Sequence, residues 1–190
     1  DEIWLNLNAT NKSRKSMMAF ALGHELVHRA KKGSPGKHQA FTEFLMKEYG
    51  KNGASVETMI AQELKAARDY GIKMTEEQAF EEVVCDACER MLLDTDAGKR
   101  LAEFGAQSRE NKSFLEDLKR WISEFLDKLR SIFQDVDPDS LAAQEFAKFD
   151  ATAKQILADM YVDMTIDAGD KLSTIQSAFG KGTVVEVTTS

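Results

Sequence analysis

Two histidines flank a glutamate and two aliphatic residues in HELVH, residues 24–28. His24 and His28 stand four apart, so on an α-helix they share one face, one turn above the other, and two imidazoles so placed can converge on one metal ion. Glu25 sits beside the first of them. That brings a carboxylate next to the metal without making it a ligand, as the general base of a zinc hydrolase requires. The bland alternative is a helix that carries two partly exposed histidines. A hydrolytic zinc takes three protein ligands and keeps a position for water, and His, His and Glu is a recurring set. Glu81 and Glu82 offer the carboxylate. With Glu82 as ligand, Asp86 lies one turn on and could accept the other ring N–H of a bound histidine. With Glu81 as ligand, the residue one turn on is Cys85, a poor acceptor. Adjacent side chains diverge by about 100°, so one helix cannot aim both glutamates at one ion. The neighbours Ala79, Phe80, Val83, Val84 and Ala87 make this helix apolar over a wide arc, so an acidic pair within it needs a partner.

The elements that must position these residues are mostly helical. Residues 2–9, EIWLNLNA, alternate apolar and polar side chains and predict a strand, whose edge is a candidate to pair with an extended substrate backbone. From about Ser13 the period becomes helical, and Met17, Phe20, Ala21, His24, Val27 and His28 fall on one stripe, which places the histidines on the inward face. Gly33, Ser34 and Pro35 read as a C-cap, an N-cap and the first turn of a second helix, with Phe41, Phe44, Leu45 and Tyr49 inward. A third helix runs from about Ser55 to Tyr70. Thr75 and Gln78 form a capping box for a fourth, which carries the acidic residues. Leu115, Leu118, Ile122, Phe125, Leu129 and Ile132 form a heptad seam, and Phe146, Phe149, Ala153, Ile156, Met160 and Met164 a second long stripe, predicted to pair as an antiparallel hairpin. Residues 179–190 are β-prone.

HELVH followed by ExxxD, Glu82 through Asp86, resembles the zincin-type metallopeptidases called gluzincins. Residues 24–50, HELVHRAKKGSPGKHQAFTEFLMKEYG, and 71–93, GIKMTEEQAFEEVVCDACERMLL, extend the resemblance to the metallopeptidase domain found in large multidomain (polyvalent) proteins of phages and integrative mobile elements of gut bacteria. It covers roughly residues 1–135. The resemblance implies that zinc is held by His24, His28 and Glu82, that Glu25 is the catalytic base, and that Asp86 orients a histidine, His24 in this chain. It implies peptide hydrolysis, with a protein or peptide as substrate and the parent protein among the possible targets. Two departures stand out: the stretch from His28 to Glu82 is longer than in thermolysin-like enzymes, and none of Tyr49, Tyr70, Tyr161 or His38 clearly matches the residue with which many gluzincins steady the oxyanion.

Composition sets the outer limits. A chain of 190 residues, 43% hydrophobic and 30% charged, is long enough for one buried core. A net charge of −7 argues against nucleic acid as partner, since phosphate binding wants clustered Lys and Arg. No run approaches a membrane span. The start at Asp1 suggests a piece of something larger, and two cysteines without a secretory signal favour a cytoplasmic over a secreted address. Cys85 and Cys88 form a CxxC without the further ligands of a structural zinc site or the context of a redox motif, and they read as small packing residues. His38 reads as a packed or rim histidine.

The sequence thus predicts a mainly α domain with a minor β component, zincin-like, with an active-site helix and a C-terminal long-helix hairpin. Residues 1–110 form its zinc-site region, 111–178 the hairpin and 179–190 the tail. Two other classes remain: a non-enzymatic interaction module with a structural or vestigial zinc site, and a zinc hydrolase of non-peptide amides.

Overall fold

Seven α-helices follow one another in the computed structural model, which describes residues 14–178 and their side chains over 17–160. They are α1 (Arg14–Lys32), α2 (Pro35–Tyr49), α3 (Val56–Asp69), α4 (Glu76–Leu93), α5 (Ala97–Ala106), α6 (Arg109–Phe133) and α7 (Leu141–Ala178). No strand occurs among the described residues, and the strand expected at 2–9 and the β-prone tail at 179–190 lie outside them. No helix among the described residues is long and apolar enough to cross a membrane.

The helix boundaries fall where the local chemistry puts them. Pro35 opens α2 behind Ser34, in a position where its missing N–H costs no helical bond. Ser55 caps α3 through Thr58 N at 3.2 Å. At α4 the predicted capping box is present: Thr75 Oγ1 accepts from Gln78 N at 3.2 Å, and the Gln78 side chain accepts from Thr75 N at 2.9 Å. Gly71, at φ +73°, closes α3 in a left-handed turn that glycine adopts without a Cβ penalty.

α1 and α4 make the broadest contact between elements. The face α1 buries is Met18, Ala19, Leu22, Leu26, Val27 and Ala30. This corrects the predicted stripe. Phe20 is exposed, and His24 and His28 lie on the flank of the helix rather than on its innermost line, because the larger aliphatic side chains take that line. A flank is also where a site has to be if anything is to reach it. One hydrophobic core joins α1, α2, α4, α5, α6 and α7, while α3 covers α4 through Met59 and Ala67. The far ends of α2 and α4 are tied together. Tyr49 donates its hydroxyl to Asp94 at 2.8 Å, and Arg90 Nε donates to the Tyr49 carbonyl at 2.7 Å.

α6 buries its predicted seam except that Ile132 is 54% exposed and Phe133 is buried in its place; α7 buries Phe149, Ala153, Ile156 and Met160, Phe146 is half-buried, and the side chain of Met164 lies outside those described. α6 and α7 meet near their connection, where Phe133 stacks on Phe146 at 4.6 Å and Arg130 Nη2 bonds Asp150 at 2.8 Å. They do not run together as the main pair, however. α7 beds chiefly on α5 and next on α1. The cause is Gly98, where a Cβ would run into the Ile156 carbonyl oxygen and come within 2.7 Å of Asp159 Cβ. Only a glycine lets α5 approach α7 this closely.

Gly98→Ala should therefore destabilise the chain by about 1–3 kcal/mol through overpacking, despite the roughly 1 kcal/mol that alanine gains over glycine in a helix. Urea denaturation checks this, and a midpoint unchanged or raised would contradict the close seat of α5 on α7.

Candidate metal centre

Gly23 sets the position of the histidines. A Cβ there would lie 3.2 Å from Glu89 N and 3.4 Å from the Cys85 carbonyl oxygen, so α1 and α4 touch backbone to backbone one residue before His24. Cys85 and Cys88 line this seam from α4. Both are buried free thiols, and burial raises their pKa values far above the ordinary range, which makes them inert packing residues.

On the flank of the seam, His24 Nε2 lies 3.6 Å from Glu82 Oε2. That is too long for a hydrogen bond. It is close to the roughly 3.4 Å that separates a nitrogen and an oxygen bound tetrahedrally to one zinc at bonds of about 2.0–2.1 Å. The same Nε2 is buried and has no hydrogen-bond partner, an arrangement that ordinarily costs about 1–3 kcal/mol. Phe20 covers the ring, with centroids 4.2 Å apart. Burial holds the His24 imidazole below its ordinary pKa; Glu82 opposes this, His28 adds to it, and Asp86 and Glu89 oppose it. The ring is therefore neutral at neutral pH and keeps a lone pair to offer.

His28 is one turn on, its ring centre 6.0 Å from that of His24. Its Nδ1 lies 2.9 Å from Glu81 Oε1, not against Glu82. Glu25 turns along α1 and accepts a 2.6 Å hydrogen bond from Arg29 Nε, and Arg29 Nη1 reaches Glu124 of α6 at 2.8 Å. Asp86 acts on His24 through its charge. His38 is half-buried near Lys31 and Glu81, its pKa lowered by burial first and then by the Lys31 charge.

The structure thus brings His24 and Glu82 together and sets Asp86 within electrostatic reach, while His28 faces Glu81 and Glu25 faces Arg29. Among the described residues no three His, Cys, Asp or Glu side chains are arranged to hold a metal ion. The donor types nevertheless suit zinc, and the orphaned Nε2 beside a carboxylate at ligand-to-ligand distance is the specific observation that fits it. Two features escaped the sequence reading. Glu63 of α3 faces the same acidic edge: burial raises its pKa, the Asp86 charge adds to this, Lys51 opposes it, and Glu82 adds again. The Arg29–Glu124 link escaped as well, because a contact 95 residues apart leaves no local pattern. Comparison with known protein families, curated proteins and solved structures finds no match to this chain.

His24 makes stability depend on pH. The unfolded chain protonates it near 6.5, whereas the folded chain protonates it only below that value. Its contribution is neutral above pH 6.5 and destabilising as the pH falls from there through the lowered folded value. His38 works in the same direction. The metal-free chain should therefore lose unfolding free energy on acidification through this window, and His24→Asn should recover part of the loss. An identical slope in His24→Asn would contradict the burial of a neutral imidazole.

Proposed function

We propose that this chain is a zincin-like metallopeptidase domain of gluzincin type, with His24, His28 and Glu82 as zinc ligands and Glu25 as general base. The observation that carries the reading is the buried His24 Nε2, without a hydrogen-bond partner and 3.6 Å from Glu82, on the helix that bears HELVH.

When bound, zinc would lower the pKa of water towards neutrality and polarise a carbonyl oxygen. The remaining work falls to the chain. Glu25 takes the proton of the attacking water and returns it to the leaving amine. In the metal-free chain Arg29, braced by Glu124, holds the Glu25 carboxylate along α1. Asp86 supplies negative charge beside His24 and favours the imidazole as donor. The substrate is a protein or peptide, with the parent protein a candidate, and the address is cytoplasmic in this reading. The Glu25–Arg29 pair favours a second reading, an interaction module with a structural or vestigial zinc site, because a base engaged by a guanidinium must leave it to act.

Metal analysis with a peptide-library cleavage assay separates the two. The wild type should bind about one zinc and cleave, and Glu82→Ala and His28→Ala should lose most of the metal. Glu25→Gln should keep the metal and lose about 10²–10⁴-fold in rate, and Asp86→Ala should weaken zinc affinity or activity by about 10–100-fold. Zinc uptake without cleavage would favour the interaction module, and equal cleavage by Glu25→Gln would remove Glu25 as the base.

A further inference from the structure

Glu81 and Glu82 are neighbours on α4, and the divergence of adjacent helical side chains sends each to a different histidine of α1. Glu82 stands at Nε2 of His24, and Glu81 at Nδ1 of His28. The Glu81 carboxylate is itself held. Its second oxygen accepts a 2.7 Å hydrogen bond from Lys31 Nζ, and Lys31, one turn beyond His28 on α1, also lies 3.7 Å from Glu77. An ionised carboxylate is an acceptor only.

We infer that Glu81 is a positioning residue for His28: its Oε1 accepts the Nδ1 proton, so that the neutral ring keeps Nε2 as its electron-pair donor, and Lys31 fixes the carboxylate in the orientation that does this. Imidazole without such a partner favours the opposite tautomer, with the proton on Nε2. A histidine that binds metal through Nε2 needs the Nδ1–H form, and a carboxylate or carbonyl at Nδ1 is the general means of securing it. The consequence for zinc rests on the proposed function, whereas the tautomer does not.

The test uses the full chain, labelled with ¹⁵N at its three histidines. Long-range ¹H–¹⁵N correlation on the metal-free protein, at a pH where the imidazoles are neutral, reads the tautomer of His28. The wild type should show Nδ1–H, Glu81→Gln should retain it through its amide oxygen, and Glu81→Ala should shift His28 towards Nε2–H with an unchanged backbone amide spectrum. Lys31→Met should give an intermediate shift. Nε2–H in the wild type, or no change in Glu81→Ala, overturns the inference. Competition against a zinc chelator is the second arm, with a loss of about 10–100-fold in affinity expected for Glu81→Ala and most of it rescued in Glu81→Gln. Equal affinities in wild type and Glu81→Ala overturn the positioning role. A wild type that takes up no zinc sinks the proposed function, and the tautomer then decides the inference alone.

Discussion

A Cβ on Gly23 would press on the α4 backbone at Glu89 and Cys85, and the absence of that atom lets α1 and α4 lie close enough for residues on their flanks to meet. The seam is filled by small or slender side chains, with Cys85, Cys88 and Ala87 on α4 and Ala19, Leu22 and Leu26 on α1, all buried. Interiors pack at crystal-like density, so a wider separation would have to be filled by larger side chains that would carry the two helices apart. His24 could not then stand beside Glu82. The candidate centre is in this sense a by-product of a backbone contact, and the rest of the bundle serves to hold α1 and α4 in place. α2 clasps the end of α4 through Tyr49, Asp94 and Arg90, and α7, seated on α5 at Gly98, also contacts α1.

Charge is distributed along that seam in a consistent way. The acidic edge of Glu63, Glu82, Asp86 and Glu89 faces a helix flank with two imidazoles, and burial first, then the charges of Asp86 and Glu82, raise the Glu63 pKa. At the exposed end, Lys31 and Arg29 offset the carboxylates, Lys31 at Glu81 and Arg29 at Glu25 and Glu124. Beside His24, Glu82 and Asp86 add negative charge and Nε2 has no hydrogen-bond partner, which is the pattern a divalent cation would relieve.

Helices and their ends were legible in the sequence because capping chemistry is local. Pro35, Ser55, Thr75–Gln78 and Gly71 each act within a few residues of themselves, whereas Ser34, at the N-cap position of α2, makes no side-chain capping bond. The faces of α2, α6 and α7 followed from periodicity for the same reason, down to Phe149, Ala153, Ile156 and Met160. Rotation of α1 about its axis did not follow, since His24 and His28 fit an inward stripe as well as a flank when only spacing is considered; which line is innermost depends on what α4 presents. The partner of α7 was missed for a related reason. A heptad seam states that a helix lies along another one, but the choice of α5 over α6 depends on a single glycine, Gly98. At the site, the ExxxD pattern singled out Glu82, which stands 3.6 Å from His24, while the engagement of His28 by Glu81 depends on Lys31 and on a helix–helix distance that no motif encodes.

Zinc X-ray absorption spectroscopy on the chain reconstituted with one equivalent of metal tests the central claim most directly, because it counts the donor atoms. With His24, His28 and Glu82 as ligands, the first coordination sphere contains only nitrogen and oxygen at about 2.0–2.1 Å, with the outer scattering of two imidazole rings. Sulfur at about 2.3 Å would instead place the metal on Cys85 or Cys88, and a sphere without imidazole scattering would remove the histidines from the site. Either result would contradict a metal centre on the flank of α1.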